Sequence, residues 1–184
     1  IRAPLIAQNA GVIGAQGSGV TILLAADTLS FLPAAPSVVA SGGDTTIAFQ
    51  PFTNNRSISF GPGGDVQVTA ASLTQFTADN VSLRATGTGN AIVAAAINLG
   101  AGTLDLRGAS VSQSAGATIT AGRVTGTASS GTCTLDLATN SVANAAASRA
   151  SATCVPTGPS AAAASARVAG SRAAMATVAP SASD

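Results

Sequence analysis

Short alternating segments dominate the chain and limit what it can fold into. From about Val20 to Val142, apolar and polar residues alternate over short stretches such as "TTIAF", "RSISF", "DVQVT" and "TLDLR". Gly, Asn, Asp, Ser and Pro separate these stretches. A period of two is the pattern of a strand with one buried face, and no window of this region keeps an apolar face at helical spacing over three turns. The sequence therefore predicts an all-β fold, without helices before residue 145.

The alternation also predicts which side chains share a face of each strand. The outward positions between the apolar residues belong to Ser59, Gln67, Ser82 and Asp105, which we expect to be solvated. The predicted inward pairs are Ile47 with Phe49, Ile58 with Phe60, Val66 with Val68, Val81 with Leu83, and Leu104 with Leu106.

Quasi-repeats indicate how the strands are arranged. A Gly-Gly-Asp turn precedes a strand at Asp44 and again at Asp65, and "VSLRATG" at Val81 recurs as "LDLRGAS" at Leu104. "TLDL" occurs at Thr103 and at Thr134. A period of about 20 residues with two or three short strands matches one coil of a parallel β-solenoid, in which coils stack about 4.8 Å apart. An antiparallel sandwich or jelly roll is the alternative, but it favours longer strands and the hairpin dipeptides Asn-Gly and Asp-Gly, which the chain lacks.

The composition divides the chain in two. Residues 1–144 carry the strand pattern, whereas residues 145–184 consist mainly of Ala, Ser, Arg and Pro with few large apolar side chains. Such a segment buries too little surface to offset the entropy of ordering it. We expect a β-helix segment over 1–144 and a disordered or weakly helical tail over 145–184.

Charge and hydropathy exclude several classes of function. Charged residues make up 8% of the chain, the net charge is +1, and His is absent, as are Lys and Glu. No basic stripe with interleaved aromatics exists, so nucleic-acid binding is not expected. The longest apolar run, "AIVAAAINL", is far shorter than the roughly 20 residues of a spanning helix. The chain begins without an initiator Met or a leader, so we expect a piece of a larger protein or a processed product.

Two cysteines, Cys133 and Cys154, are the only thiols. Without histidine or a Cys-x-x-Cys pair they do not make the usual four-ligand zinc site. Two interpretations stay open: one disulfide in an exported protein, or two small buried side chains.

Candidate catalytic residues are few. Asp and Arg are the only charged types, so acid and base chemistry would fall to Asp105 and Asp136, assisted by Arg107. Stacking would have to bring the two carboxylates onto one face, and their separation along the chain is not a clean period. Outward Asp residues on strands ordinarily serve solvation. We therefore assign no catalytic, cofactor-binding or metal-binding residue and no cofactor.

Two further motifs have only partial matches. "GPGGDVQV" resembles one unit of a calcium-binding nonapeptide, which needs tandem copies, so Gly63, Gly64 and Asp65 are predicted to form an ordinary tight turn. Thr118 and Thr120 match the Thr-x-Thr pairs of ice-binding solenoids, but successive coils would have to repeat them, and they do not.

Three of the five phenylalanines, Phe49, Phe52 and Phe60, lie close together in a chain without Trp or Tyr. They form either an exposed platform for a sugar or part of the core. The alternation places Phe49 and Phe60 inward, and Phe52 follows Pro51 at a corner between two strands. We predict core packing, with Phe52 the most exposed of the three.

The middle of the chain resembles the filamentous-haemagglutinin-like family of bacterial exoproteins. The resemblance rests on "IAFQPFTNNRSISFG", on the following "DVQVTAASLTQFTADNVSLRATG" and on "AIVAAAINLGAGTLDLRGASVSQSAGATITAGRVTG", and it covers roughly residues 9 to 142. It implies a right-handed parallel β-helix shaft, export by two-partner secretion through an outer-membrane transporter, and a role in adhesion. The Asn-Pro-Asn-Gly motif of the family's secretion domain is absent, so no secretion determinant is assigned.

These observations lead to one functional expectation with two alternatives. We expect a non-catalytic structural segment of a large secreted or surface-displayed adhesin of a Gram-negative bacterium, located outside the cell or on its surface. Its receptor on a host cell, matrix or carbohydrate is not identified. The alternatives are a carbohydrate-active β-helix enzyme and a sugar-binding module that uses exposed Phe.

Overall fold

In a computed structural model, the chain forms a stack of parallel β-coils with about five turns. The structure describes residues 1–8, 12–31, 38–136, 140–149 and 154–157. A single helical turn, α1 (Ala70–Leu73), interrupts the strands of this described part, so the prediction that no helix precedes residue 145 is wrong at this one turn. The strands in chain order are β1 (Leu5–Gln8), β2 (Ile13–Gln16), β3 (Thr21–Ala25), β4 (Thr28–Phe31), β5 (Val38–Ser41), β6 (Thr46–Gln50), β7 (Ile58–Phe60), β8 (Val66–Val68), β9 (Phe76–Thr77), β10 (Asn80–Arg84), β11 (Ala91–Val93), β12 (Ile97–Asn98), β13 (Thr103–Gly108), β14 (Val111–Gln113), β15 (Ile119–Ala128), β16 (Cys133–Asp136), β17 (Ser141–Arg149) and β18 (Cys154–Thr157).

The pairings arrange each coil around three faces. On the first face, β3, β6, β10 and β13 pair in succession, and β13 pairs with residues 123–128 of β15. On the second face, β7, β11, β14, β16 and β18 pair in succession. The third face holds β2, β5 and β9 in one sheet, whereas β12 pairs with the first residues of β15. All these pairs are parallel, so the predicted parallel β-helix is confirmed.

Equivalent residues of successive coils form rows inside the stack. Phe49 lies between Leu24 and Leu83 in one such row, and Leu83 pairs in turn with Leu106. The next inward row consists of Ile22, Ile47, Val81, Leu104 and Val124. All of these side chains are buried, as are Ile58, Phe60, Val66 and Val68, so the predicted inward pairs are confirmed. Burial of one large apolar side chain of this kind contributes about 1.5 to 3 kcal/mol.

The coils differ in length, and one of them contains an excursion. Along the inward row that begins at Ile22, the step from Ile47 to Val81 is the longest. In this longest coil, β7 and β8 pair in parallel although only residues 61–65 connect them. Parallel strands ordinarily need a connection of about a dozen residues or more. The short connection relies on left-handed backbone at Gly61 and Gly63, with φ of 88° and 106°, which glycine adopts without strain.

That tight connection changes the environment of Ser59, which the alternation predicts to be solvated. The prediction is wrong, because Ser59 has no exposed surface. The backbone of Gly64 covers it: the Gly64 N–H donates to Ser59 Oγ at 3.0 Å, and a Cβ on Gly64 would lie 2.7 Å from the Ser59 nitrogen. Ser59 Oγ donates in turn to the Gly61 carbonyl at 2.6 Å, so the buried hydroxyl is fully satisfied. Gln67, on β8, is exposed as predicted.

Ser82 is a second outward serine that is buried rather than solvated. It points out of β10, but Asp105 on the next strand and Arg84 on its own strand both form hydrogen bonds with its hydroxyl. Long polar side chains thus cover the short one on the outer surface of the first face.

The strand pattern continues past the predicted domain boundary. β17 crosses residue 144, and β18 lies beyond it. The solenoid therefore extends at least to Thr157. Residues 158–184, the remainder of the predicted disordered or weakly helical tail, lie outside the described residues. Within the described ranges, no helix has the length and apolar character needed to cross a membrane.

Candidate functional site

Asp105 is the centre of a polar cluster on the outer surface of the first face. Its Oδ2 accepts from Ser82 Oγ at 2.9 Å and from Arg107 Nε at 2.7 Å, and its Oδ1 accepts from Thr125 Oγ1 at 2.9 Å. Ser82, Asp105 and Thr125 occupy paired positions on three neighbouring strands. One carboxylate thereby connects three successive coils, and its side chain is only 17% exposed.

The arrangement suits a structural connection better than acid-base chemistry. Both carboxylate oxygens accept hydrogen bonds from groups of the chain itself, and a general base needs an oxygen that can reach a substrate proton. Arg84 completes the cluster, because its Nε donates to Ser82 Oγ at 2.9 Å.

Asp136, the second candidate carboxylate, lies elsewhere. It belongs to β16 on the second face, where its backbone pairs with Thr157, whereas Asp105 belongs to β13 on the first face. The hypothesis that stacking brings the two onto one face is therefore wrong. The two copies of "TLDL" occupy different faces because the distance between them along the chain is not a whole number of coils. Among the residues that the structure describes, no group of three or more His, Cys, Asp or Glu side chains could hold a metal ion.

The phenylalanines do not form an exposed platform. Phe49 and Phe60 have no exposed surface, which confirms their predicted core packing. Phe49 contacts Phe76 edge to face, with ring centroids 5.0 Å apart, and Phe76 contacts Phe31 in the same way. Phe52 is half-buried, and the guanidinium of Arg2 lies 5.4 Å from its ring centroid. Phe52 is therefore the most exposed of the three clustered rings, as predicted.

Two aspartates at the corners connect one coil to the next. Asp27 accepts from the backbone N–H and the hydroxyl of Thr53 and forms an ion pair with Arg56 at 3.3 Å. Asp79 accepts from the backbone N–H and the hydroxyl of Thr45, both at 2.9 Å. Burial raises the pKa of Asp27, but the hydrogen bonds from Thr53 and the charge of Arg56 together lower it below its ordinary value. The backbone and hydroxyl hydrogen bonds from Thr45 likewise lower the pKa of Asp79.

We expect these two carboxylates to make the fold sensitive to acid. Their pKa values in the folded state lie below the ordinary 3.8, so the unfolded chain takes up protons first as the pH falls. Their contribution to stability is complete above about pH 4, since both states are then ionised, and it is lost as the pH falls through the folded-state values. The melting temperature of the wild-type chain should therefore drop below about pH 4.

The double variant Asp27→Asn, Asp79→Asn tests this expectation by melting curves between pH 7 and pH 2.5. It keeps acceptor oxygens but cannot titrate, so its melting temperature should fall less over this range than that of the wild type. Gln67→Ala, at an exposed position of β8, should show the full wild-type drop. Equal acid sensitivity of the double variant and the wild type would contradict the assignment.

The Gly-Gly-Asp segment before β8 is a tight turn, as predicted. Asp65 accepts from the Ser57 backbone N–H at 2.8 Å, which closes the loop between β7 and β8. The carboxylate thus serves the chain's own backbone.

Cys133 is buried and disulfide-bonded. Cys154, the only other cysteine, is its backbone partner in the pairing of β16 with β18. Of the two interpretations left open by the sequence, the structure shows the disulfide.

A cleft opens on the third face, where the succession of paired strands is interrupted. There β9 pairs with β5, and β12 pairs with β15, but β9 and β12 do not pair with each other. The cleft has a volume of about 260 Å³. Its lining residues are Ile47, Leu73, Phe76, Ala78, Asp79, Val81, Asn98 and Leu99. Sequence reasoning missed it, because strand alternation carries no signal for a break between coils.

Comparisons with protein-family models, with curated proteins and with solved structures found no match for this chain. The functional proposal therefore depends on the geometry described above and on the resemblance noted from the sequence.

Proposed function

We propose that the chain is a non-catalytic structural segment of a large secreted or surface-displayed bacterial adhesin, in which it projects a binding region away from the cell. The observation that carries this proposal is the unbroken succession of parallel pairs along the first face, from β3 to β17. Each added coil lengthens such a stack by about 4.8 Å, so a solenoid is a spacer whose length is set by the number of coils.

Side chains at the corners strengthen the stack beyond its backbone ladders. The amide oxygens of Asn55, Asn80 and Asn90 accept from backbone N–H groups one coil further on, at 3.1, 2.9 and 3.1 Å. Hydrogen bonds of this kind contribute about 1 kcal/mol each. Asp27, Asp79 and Asp105 likewise join neighbouring coils.

The location outside the cell is supported by the disulfide at Cys133, because disulfides persist in oxidising compartments and are rare in the cytosol. The low charge content and the resemblance to filamentous-haemagglutinin-like exoproteins point the same way. We propose passage through an outer-membrane transporter as the export route, on the strength of that resemblance alone.

Duplication of one coil tests the proposal. Thr103 pairs with Arg123 of the next coil, so residues 103–122 make up one coil. The variant carries a second copy of these residues, inserted after residue 122. In the native cells, an epitope tag placed in this segment of the whole protein should be labelled by antibody on intact cells or in their culture medium, and the duplication should leave this labelling unchanged. Small-angle scattering of the purified variant should show a rod about 4.8 Å longer.

A matched variant with residues 103–122 in scrambled order has the same length and composition but no coil pattern, and its export or display should fail. Retention of the whole tagged protein in the cytoplasm with Cys133 reduced would contradict the proposed location. Cleavage of polysaccharides by the purified chain, abolished by Asp105→Asn, would contradict the non-catalytic role and support the β-helix enzyme instead.

A further inference from the structure

The interruption of the third face is local and leaves the other two faces intact. Between the same two coils, β6 pairs with β10 on the first face and β7 pairs with β11 on the second. The coils are therefore in contact on two sides and separate only where β9 faces β12. Between β9 and β12 the wall of the stack is therefore open on one side, although the core residues Ile47 and Val81 behind it stay buried.

The inner surface of the opening is slightly more than half apolar. Ile47 and Val81, neighbours in an inward row of the core, line the cleft although both are buried. Leu73, Phe76 and Leu99 line it as well, and each of them is only half-buried. Partly covered apolar side chains around a concavity are typical of small-molecule sites.

Of the described residues that line the cleft, Asp79 is the one acidic residue. Asp79 is exposed, and its Oδ2 accepts both hydrogen bonds from Thr45. Its Oδ1 has no hydrogen-bond partner among the described residues. The ion pairs of this described part join Arg56 with Asp27 and Arg107 with Asp105, so neither of them neutralises Asp79. An aspartate whose pKa lies below the ordinary 3.8, as that of Asp79 does, is ionised at neutral pH.

We propose that the cleft between β9 and β12 binds a small organic ammonium ion, whose apolar body packs against Leu73, Phe76 and Leu99 while its cationic head pairs with Asp79. The volume of about 260 Å³ lies just below the usual range of about 300 to 1,000 Å³ for small-molecule sites, which limits the body to one ring or a short alkyl chain. Asn98, at the same cleft, offers an amide to a polar substituent. This site is independent of the proposed role as a spacer.

Benzylammonium is the probe, and NMR of the whole chain is the measurement. Titration should shift the methyl signals of Ile47, Val81 and Leu99 in a saturable way, with a dissociation constant of about 1 mM, as expected for so small a ligand. Benzyl alcohol, which has the ring without the charge, should bind about two- to fivefold more weakly, since it lacks the ion pair with an exposed carboxylate. Methylammonium, which has the charge without the ring, should produce no saturable shift of these methyl signals.

Two variants test the contributions of the carboxylate and of the cavity to binding independently. Asp79→Asn should weaken benzylammonium binding about two- to fivefold and leave benzyl alcohol binding unchanged. Asp27→Asn, at another corner carboxylate that binds a threonine, should affect neither. Ala78→Leu should fill the cleft and abolish the binding of both probes. Ala96→Leu, at an exposed position outside the cleft, is its matched control and should bind both as the wild type does.

Three outcomes would overturn the proposal. One is the absence of saturable shifts at the three methyl positions up to 20-fold above the expected dissociation constant, about 20 mM. Another is equal affinity for benzylammonium and benzyl alcohol, since the carboxylate would then play no part. The third is unchanged binding in a folded Ala78→Leu variant, because the ligand would then lie elsewhere. None of these outcomes bears on the spacer role, which the coil duplication tests separately.

Discussion

Replacing Phe49 by Ala should destabilise the chain by about 3 to 5 kcal/mol, the cost of removing a large aromatic side chain from a packed core. Phe49 has no exposed surface and lies between Leu24 and Leu83 in its row. Its edge-to-face contact with Phe76 links the first face to the third, and an aromatic pair of this kind contributes about 0.5 to 1.5 kcal/mol beyond burial. Urea unfolding followed by circular dichroism measures the loss as a lower midpoint at unchanged slope.

Phe52→Ala is the matched control, since it removes the same ring from the same segment. Phe52 is half-buried at a corner and contacts the guanidinium of Arg2, so its loss should cost about 1 kcal/mol or less. Equal losses for the two variants would show that the corner ring contributes as much to the core as the inward one.

The inward residues of the strands could be predicted because side-chain alternation is a local property. A strand such as β10 turns Val81 and Leu83 to the same side wherever it lies in the fold, and both are buried. The repeat of "VSLRATG" as "LDLRGAS" was informative for the same reason, because Val81 and Leu104 are direct partners in neighbouring coils. The parallel solenoid followed from these features.

The assignment of segments to faces could not be predicted. One Gly-Gly-Asp turn precedes β6, which lies on the first face, and the other precedes β8, which lies beside β7 on the second face. The distance between the two turns along the chain is therefore not the length of one coil. Turn chemistry recurs at every corner of a coil, and a repeated turn therefore identifies a corner without saying which one. The excursion through residues 61–65 displaced the later segments further from any regular period.

The contacts around Asp105 could not be predicted from the sequence either. Asp105 was singled out as an outward carboxylate, and the structure places it outward, but its partners Ser82 and Thr125 come from neighbouring coils. Contacts across coils depend on the register, which alternation within one strand does not determine. Burial of Ser59 and Ser82 was missed for this reason, and so was the cleft beside Asp79.

Replacing Gly102 by Ala should destabilise the chain by about 3 kcal/mol, the upper end of the cost of overpacking. A Cβ at this corner would clash with the backbone carbonyl oxygen of Asp79 in the coil below, and a backbone oxygen cannot move aside without shifting that coil. Gly122, the residue before Arg123, meets the carbonyl oxygen of Ala101 in the same way one coil later. The close approach is therefore a repeated feature of the corner between the third and first faces. The gain from a less flexible unfolded chain, about 0.4 to 1 kcal/mol for Gly to Ala, is too small to offset the clash.

Gly14→Ala is the control, because the nearest atom to a Cβ there is the Val39 carbonyl oxygen at 3.9 Å, an ordinary contact. This variant should be neutral or more stable by up to about 1 kcal/mol. The urea midpoints of the two variants, measured side by side, give the difference in stability. A Gly102→Ala chain as stable as Gly14→Ala would show that the coils do not meet so closely at this corner. Because the corner glycine permits contact between backbones of adjacent coils, the expected loss tests the stacking distance on which a spacer role depends.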